Sequence, residues 1–365
     1  MKRSILFFMA LLIVVSFLGC TTTNQGTNKT TTVSSSSSPV VTTNANEGLV
    51  APPTKKAGPI KLAFVPSVMN VYYDQVLSGI KEEVDKLGGS SVIEILIQAP
   101  TSNQTSVNEQ IDIMENLIEQ GVDVIAISAE SDEPLSALFE KAAKAGIVIF
   151  EFNMPTVDLT SKSFVSNIGY DQFIAGRLIG EWAVKHFGDK VTKTAVLEGF
   201  PGTLNTQRLE GFKKGIEGHD NIEIVFSQTA NWNRDNGQSV TENLLQSNKD
   251  INFIVGLYDE MSLGAYSAVK AVGLQDKIVI AGYDMTLDGY KSIKNGEMYM
   301  SVDNRAKDIG KNITISAYQY CMLGKKVNQI IDVGSAAYDI NNIEEFDTNN
   351  YVYVEQKPIP GYLQN

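Results

Sequence analysis

Histidine is nearly missing: His186 and His219 are the two in 365 residues. No Ser/His/Asp set, phosphate-binding glycine loop, zinc-type Cys/His cluster or calcium loop accompanies them, so metal and general-base chemistry have little to stand on, and no cofactor is expected. Cysteine is equally sparse, with Cys20 in an apolar leader and Cys321 alone near the end. A single body cysteine excludes an internal disulfide framework and reads as a small buried apolar residue. Positive charge is short too. Lys and Arg number 30 against 42 Asp and Glu, a net charge of −12. That balance speaks against nucleic acid, whose phosphates demand basic surface. The long apolar run, Ile5 to Leu18, is too short to span a bilayer comfortably. Behind Lys2 and Arg3 it has the shape of an export signal.

That run ends on Gly19-Cys20 and resembles a bacterial lipoprotein signal, with Phe17 where leucine is usual. The resemblance implies cleavage after residue 19, lipid on Cys20, and an extracytoplasmic protein anchored to the bacterial cell membrane. Residues 1–20 are thus assigned to the signal. Residues 21–57, "TTTNQGTNKTTTVSSSSSPVVTTNANEGLVAPPTKKA", hold few large apolar side chains and read as a disordered tether.

From residue 59 the pattern becomes regular. "IKLAFV" (60–65), "VIEILI" (92–97), "DVIAIS" (123–128) and "IVIFEF" (147–152) alternate with helical stretches that stop at Gly88, Gly121 and Gly146. "FVSNI" (164–168) follows, and a second series repeats the rhythm through "KTAVLEG" (193–199), "IEIVFSQ" (222–228), "FIVGL" (253–257), "KIVIAGYD" (277–284) and "EMYMSVDN" (297–304). Continuously apolar strands mean that helices cover both sheet faces. The fold class is α/β, two doubly wound, Rossmann-like parallel-sheet lobes joined by a three-crossing hinge. The first lobe takes 59–169 plus 305–336, the second 170–304 plus 337–357. Crossings are expected near Ile168–Asp171, at Asn304–Arg305 and after the long helix 306–323. "NYVYVEQ" (350–356) reads as a late strand.

One stretch, "SVMNVYYDQVLSGI" (67–80), poses the functional question. Asn70 has the position of a helix cap, and Tyr72 and Tyr73 follow on the turn after a strand, where open α/β sheets leave a crevice. From the residues alone the two rings either cover the core or cover a ligand.

Five stretches then coincide in order: "VMNVYYDQVLSGIKEEVDKLG", "LIEQGVDVIAISAESDEPLSALFEKAAKAGIVIF", "RLEGFKKGI", "YDEMSLGAYSAVKAVGL" and "IAGYDMTLDGYKSIKNGEM". Together they closely resemble the periplasmic sugar-binding proteins of ABC importers, type I fold, in the ribose and glucose/galactose branch. The resemblance implies a non-enzymatic, monomeric protein that closes on a sugar and delivers it to an ABC permease. It implies a ligand site of Asn70, Tyr72, Tyr73, Asn153, Asn205, Thr206, Trp232, Tyr258, Asp259, Asp284 and Asn304. Tyr258-Asp259 stands where the family usually has Asn-Asp, and Arg208 falls where a structural arginine is expected. Met154 and Thr206 stand where the ribose pattern has arginines, which speaks against plain ribose. Asn153, Trp232 and Asn304 lean toward the hexose pattern, whereas Phe200 and Leu204 would suit a deoxy sugar or a glycoside.

These residue types suit a pyranose on physical grounds as well. Each ligand hydroxyl buried without a partner costs roughly 1–3 kcal/mol. Amides and carboxylates must therefore ring the sugar while aromatic rings cover its C–H faces. Asp259, Glu260 and Asp284 also raise glycoside hydrolysis, which needs an acid–base carboxyl pair at defined separation; hydroxyl acceptors and caps account for them without it. A repressor would carry an N-terminal helix-turn-helix where this chain has its leader and tether. A ligand-sensing lipoprotein, reading a sugar or an autoinducer for a sensor kinase or chemoreceptor, remains the alternative.

Overall fold

In the computed structural model, the described residues are 50–351, apart from 104, 130–131, 154–162 and 248–249, together with 355. Cys20, most of the tether, Met154 and most of the expected last strand lie outside them.

The first lobe alternates β1 (Ile60–Val65), α1 (Val71–Leu87), β2 (Ile93–Ile97), α2 (Ser106–Gln120), β3 (Val124–Ile127), α3 (Asp132–Lys144), β4 (Val148–Phe152) and β5 (Ser166–Gly169). The chain then crosses to α4 (Gln172–Phe187), β6 (Thr192–Glu198), α5 (Thr203–Gly215), β7 (Ile222–Thr229), α6 (Arg234–Gln246), β8 (Phe253–Gly256), α7 (Asp259–Ala271), β9 (Val279–Tyr283), α8 (Leu287–Lys294) and β10 (Met300–Asp303). It returns through α9 (Ala306–Cys321) and β11 (Ile330–Asp332), and crosses a last time into β12 (Ala336–Asp339).

Two six-stranded sheets result, ordered β11-β5-β4-β3-β1-β2 and β12-β10-β9-β8-β6-β7. Their described pairings are parallel except for β12, which runs antiparallel to β10. β3, β4, β8 and β10 are buried at every position, as strands with helices on both faces must be. Ala336, drawn with the first lobe, belongs to β12 of the second sheet. The crossings fall at 170–171, 304–305 and 333–335.

Two expectations need correction. The tether was drawn to residue 57, but its end is ordered: Ala51 is buried, the Thr54 and Lys56 amides donate to the Tyr320 and Cys321 carbonyls, and Lys56 pairs with Asp123. Backbone pairing to the end of α9 holds a stretch whose composition reads as coil. The last strand also begins differently, since Thr348–Tyr351 is a 3-10 turn. Its Tyr351 hydroxyl donates to the Met285 and Thr286 carbonyls, which ties the segment to a loop instead of a sheet edge.

In both sheets the strand order reverses, between β1 and β3 in the first and between β6 and β8 in the second. Open α/β sheets place ligand sites at such switch points, beyond the carboxyl ends of the strands.

Candidate functional site

A cavity of about 430 Å3 lies between the lobes at these two switch points. From the first lobe it is lined by Ser67, Asn70, Tyr72 and Tyr73 after β1, Ser128 after β3, and Asn153 after β4. From the second come Phe200, Leu204, Asn205 and Arg208 after β6, Trp232 after β7, Tyr258 after β8 and Asp284 after β9. The volume falls in the range of small-molecule sites.

Local sequence explains how the side chains are aimed. Asn70 caps α1, its Oδ1 accepting from the Tyr72 and Tyr73 amides at 3.0 and 3.1 Å. Both rings start the helix edge to face, 5.1 Å between centroids, half core and half wall. Tyr73's hydroxyl lies 3.0 Å from the Ser67 hydroxyl and 2.9 Å from that of Ser128, whereas Tyr72's donates to Asn153 Oδ1 at 3.0 Å. The choice left open between core and ligand cover is therefore a false one for these tyrosines. Tyr73 braces the wall and Tyr72 orients the Asn153 amide.

Asn153, Trp232 and Asp284 have φ of 57°, 55° and 95°, a region that L residues with a Cβ occupy at a cost. Strained backbone of this kind persists where the surroundings over-determine it, and here it turns side chains into the cleft. Trp232 lies flat on Gly199. A Cβ built at Gly199 would fall 1.8 Å from the indole ring. Gly199→Ala is accordingly expected to push Trp232 out of place, with an overpacking cost of about 1–3 kcal/mol. In a Trp182→Phe background Trp232 is the sole tryptophan, so the tryptophan emission maximum, excited to the red of tyrosine, should shift on Gly199→Ala. An unchanged spectrum would show that the ring does not depend on that glycine.

The floor is a charged pair. Arg208 is 3% exposed, and its guanidinium donates to Gln172 Oε1 (2.8 Å), the Leu257 carbonyl (2.7 Å) and the Tyr170 hydroxyl (2.9 Å). It stacks 3.9 Å above the Tyr283 ring and sits 3.4 Å from Asp284 Oδ1. Gly176 on α4 lets α5 approach this closely, since a Cβ there would meet the Arg208 carbonyl at 2.1 Å. Burial opposes the charge on Arg208, but Asp284 and the surrounding tyrosines hold its pKa above the ordinary value. Burial likewise pushes the Asp284 carboxyl up to about 6, against the pull of Arg208 and of the Asn304 amide. Asn304 Nδ2 donates to Asp284 Oδ1, while no protein donor among the described residues reaches the other oxygen. Gln172 then links the lobes, donating to Asn153 Oδ1 at 3.2 Å.

Of the residues proposed from sequence, the cavity brings together Asn70, Tyr72, Tyr73, Asn153, Asn205, Trp232, Tyr258 and Asp284. It does not include three. Thr206 is exposed on α5, one position off the inward face. Asp259 is fully buried, accepting from Ser301 Oγ (2.7 Å) and the Thr286 amide (2.6 Å), and burial raises it to about 7; it supports the β9–α8 loop. Asn304 stands behind Asp284. Asn205 lines the wall with its amide already committed, Oδ1 to the Gly199 amide and Nδ2 to Glu198.

Arg208, expected as a structural arginine, also lines the cavity floor, with its guanidinium donating to protein groups. The signal was present: Arg208 stands three residues after Asn205, on the same helix face. Ser67, Asn103 and Ser128 were also missed, for they lie in turns with no periodic pattern.

Comparison with known proteins accords with this arrangement. The pattern of the periplasmic binding protein domain matches residues 62–326. The ribose import binding protein of Bacillus subtilis (strain 168) is 32% identical over 272 residues, spanning 73% of this chain and 83% of that protein. A solute-binding protein of an ABC transporter from Actinobacillus succinogenes 130z, solved with D-allose, superimposes with a TM-score of 0.71 at 26% identity, covering 79% of this chain and 100% of that one. Another from Bacillus halodurans C-125, solved with myo-inositol, gives 0.72 at 26% identity, covering 80% and 98%. With two parallel-sheet lobes facing a polar, aromatic-walled cavity, the chain belongs to the periplasmic binding protein family, whose members bind solutes and are not enzymes.

Proposed function

We propose that the protein captures an uncharged sugar of about hexose size between its lobes and hands it to an ABC permease, while lipid on Cys20 anchors it as a monomer outside the cell membrane. The cavity's charge inventory carries this reading. Among the described lining residues Arg208 and Asp284 are the base and the acid, and they neutralise each other. A sugar acid, sugar phosphate or amino sugar would bring a charge with no partner left for it. A neutral polyol instead meets the Asp284 carboxylate, the side-chain amides of Asn70 and Asn153, and the rings of Trp232 and Tyr72. The allose- and inositol-bound relatives support the same class.

Contacts to both lobes exist together when the cleft is shut, so ligand shifts the population toward closure about the three crossings. A thermal-shift screen of D-glucose, D-galactose, D-allose, D-ribose, D-fructose and myo-inositol tests the reading. A true ligand at 100 times its Kd adds about 2.7 kcal/mol and raises Tm. No stabilisation by any of them, with glucuronate or glucosamine stabilising instead, would overturn it.

A further inference from the structure

Tyr258 is anomalous twice. It occupies the cap position of α7, where Ser, Thr, Asp or Asn would bond the free amides of the first turn, and its side chain caps nothing. Its phenol hydroxyl is buried, the residue being 4% exposed, and it has no hydrogen-bond partner among the described residues. Buried tyrosine hydroxyls ordinarily find one, because leaving it out forfeits the hydration given up on folding. The other wall tyrosines obey the rule, with Tyr72 bonded to Asn153 and Tyr73 to two serines. Tyr258 alone among the three cavity tyrosines leaves its hydroxyl unused.

The ring is nevertheless firmly placed. It stands edge-on to Trp232, 6.4 Å between centroids, and Trp232 is seated on Gly199. Its backbone is extended at the end of β8, one residue before the fully buried Asp259. The ring of this cavity-lining residue is thus held in place, with its hydroxyl buried and unbonded among the described residues.

We propose that Tyr258 is a specificity-determining residue whose phenol hydroxyl is reserved for one hydroxyl of the bound sugar, so that the cleft rejects the analogue deoxygenated at that position. The inference rests on the sugar-capture reading and goes on to say which atom enforces selection. A phenol hydroxyl both donates and accepts, so it pairs with a sugar hydroxyl in either role. When the ligand lacks that hydroxyl, the phenol stays buried and unbonded in the loaded cleft. That difference from the parent sugar, roughly 1–3 kcal/mol, corresponds to about 5- to 150-fold in affinity.

The test is a deoxy-sugar scan by calorimetry on the full-length protein and on Tyr258→Phe. The probes are the tightest-binding hexose of the screen and its 2-, 3-, 4- and 6-deoxy forms. The expected result is that one deoxy form binds the unsubstituted protein about 5- to 150-fold more weakly than its parent, and that Tyr258→Phe abolishes that one difference. Tyr258→Phe deletes a single unbonded oxygen, so ligand-free Tm should hold or rise; a merely structural tyrosine would lower Tm and leave the deoxy ratios alone. Equal ratios in both proteins would overturn the inference while leaving sugar capture intact. No binding by any of the six polyols of the screen would overturn both.

Discussion

Asp284→Asn is expected to cost at least about 100-fold in ligand affinity. The carboxylate sits on the cavity floor with one oxygen held by Asn304 and the other without a donor among the described residues, ready for the ligand. Hydrogen bonds to a charged acceptor contribute about 1.5–3 kcal/mol each, and a carboxylate serves two sugar hydroxyls, so two such contacts amount to about 3–6 kcal/mol. The substituted amide keeps the shape, loses the charge and turns one acceptor into a donor. Calorimetry with the tightest sugar measures the loss, and a Kd within threefold of the parent would remove Asp284 from the site.

The same residue predicts a pH dependence with opposite signs for binding and folding. Burial raises the Asp284 carboxyl to about 6, so below that pH the ligand-free site is protonated and has lost its charged acceptor. Affinity should fall as pH drops from 7.5 to 5, by at most tenfold per unit. For folding, a carboxyl whose pKa is raised above its unfolded value near 3.8 contributes stability that is complete below that value and is lost as pH rises through about 6. Weaker binding at pH 5 would therefore not reflect Asp284-driven unfolding. Asp284→Asn should flatten the binding profile.

How far the amino-acid pattern reached can be argued from particular elements. Apolar runs such as Phe253–Gly256 and Val148–Phe152 are legible because a strand covered on both faces has no polar position to blur it. β11 and β12 were not seen. They are three and four residues long, half-exposed, and exist because the third crossing lays each against a sheet edge. In the site, Asn70, Asn153, Trp232 and Asp284, carried over from the resemblance, line the cavity from the turns that follow strands. Asp259 was misplaced because its type suits both a sugar and a buried cap, and burial decides between them. Arg208 was read as scaffold because sequence does not reveal that α4 and α5 approach closely enough to lower its guanidinium onto Tyr283 and Asp284.

Arg208→Met should be the most destabilising single change at this site. Methionine keeps much of the apolar stem but leaves Asp284 buried with no counter-charge, and breaking one side of a buried pair costs about 3–5 kcal/mol. Gln172, the Leu257 carbonyl and the Tyr170 hydroxyl lose their donor together. For a body of this size each kcal/mol moves Tm by roughly 2–4 °C, so the ligand-free protein should melt roughly 6–20 °C lower. The double variant Arg208→Met/Asp284→Asn discriminates between lost charge pairing and lost packing. With both charges gone no buried carboxylate is stranded, and the double variant should be more stable than the two single losses added together. Chemical denaturation of all four proteins closes the cycle. Strict additivity, or an Arg208→Met loss under 1 kcal/mol, would mean that Asp284 does not depend on Arg208 for its charge, and the neutral floor on which the choice of an uncharged ligand rests would fall with it.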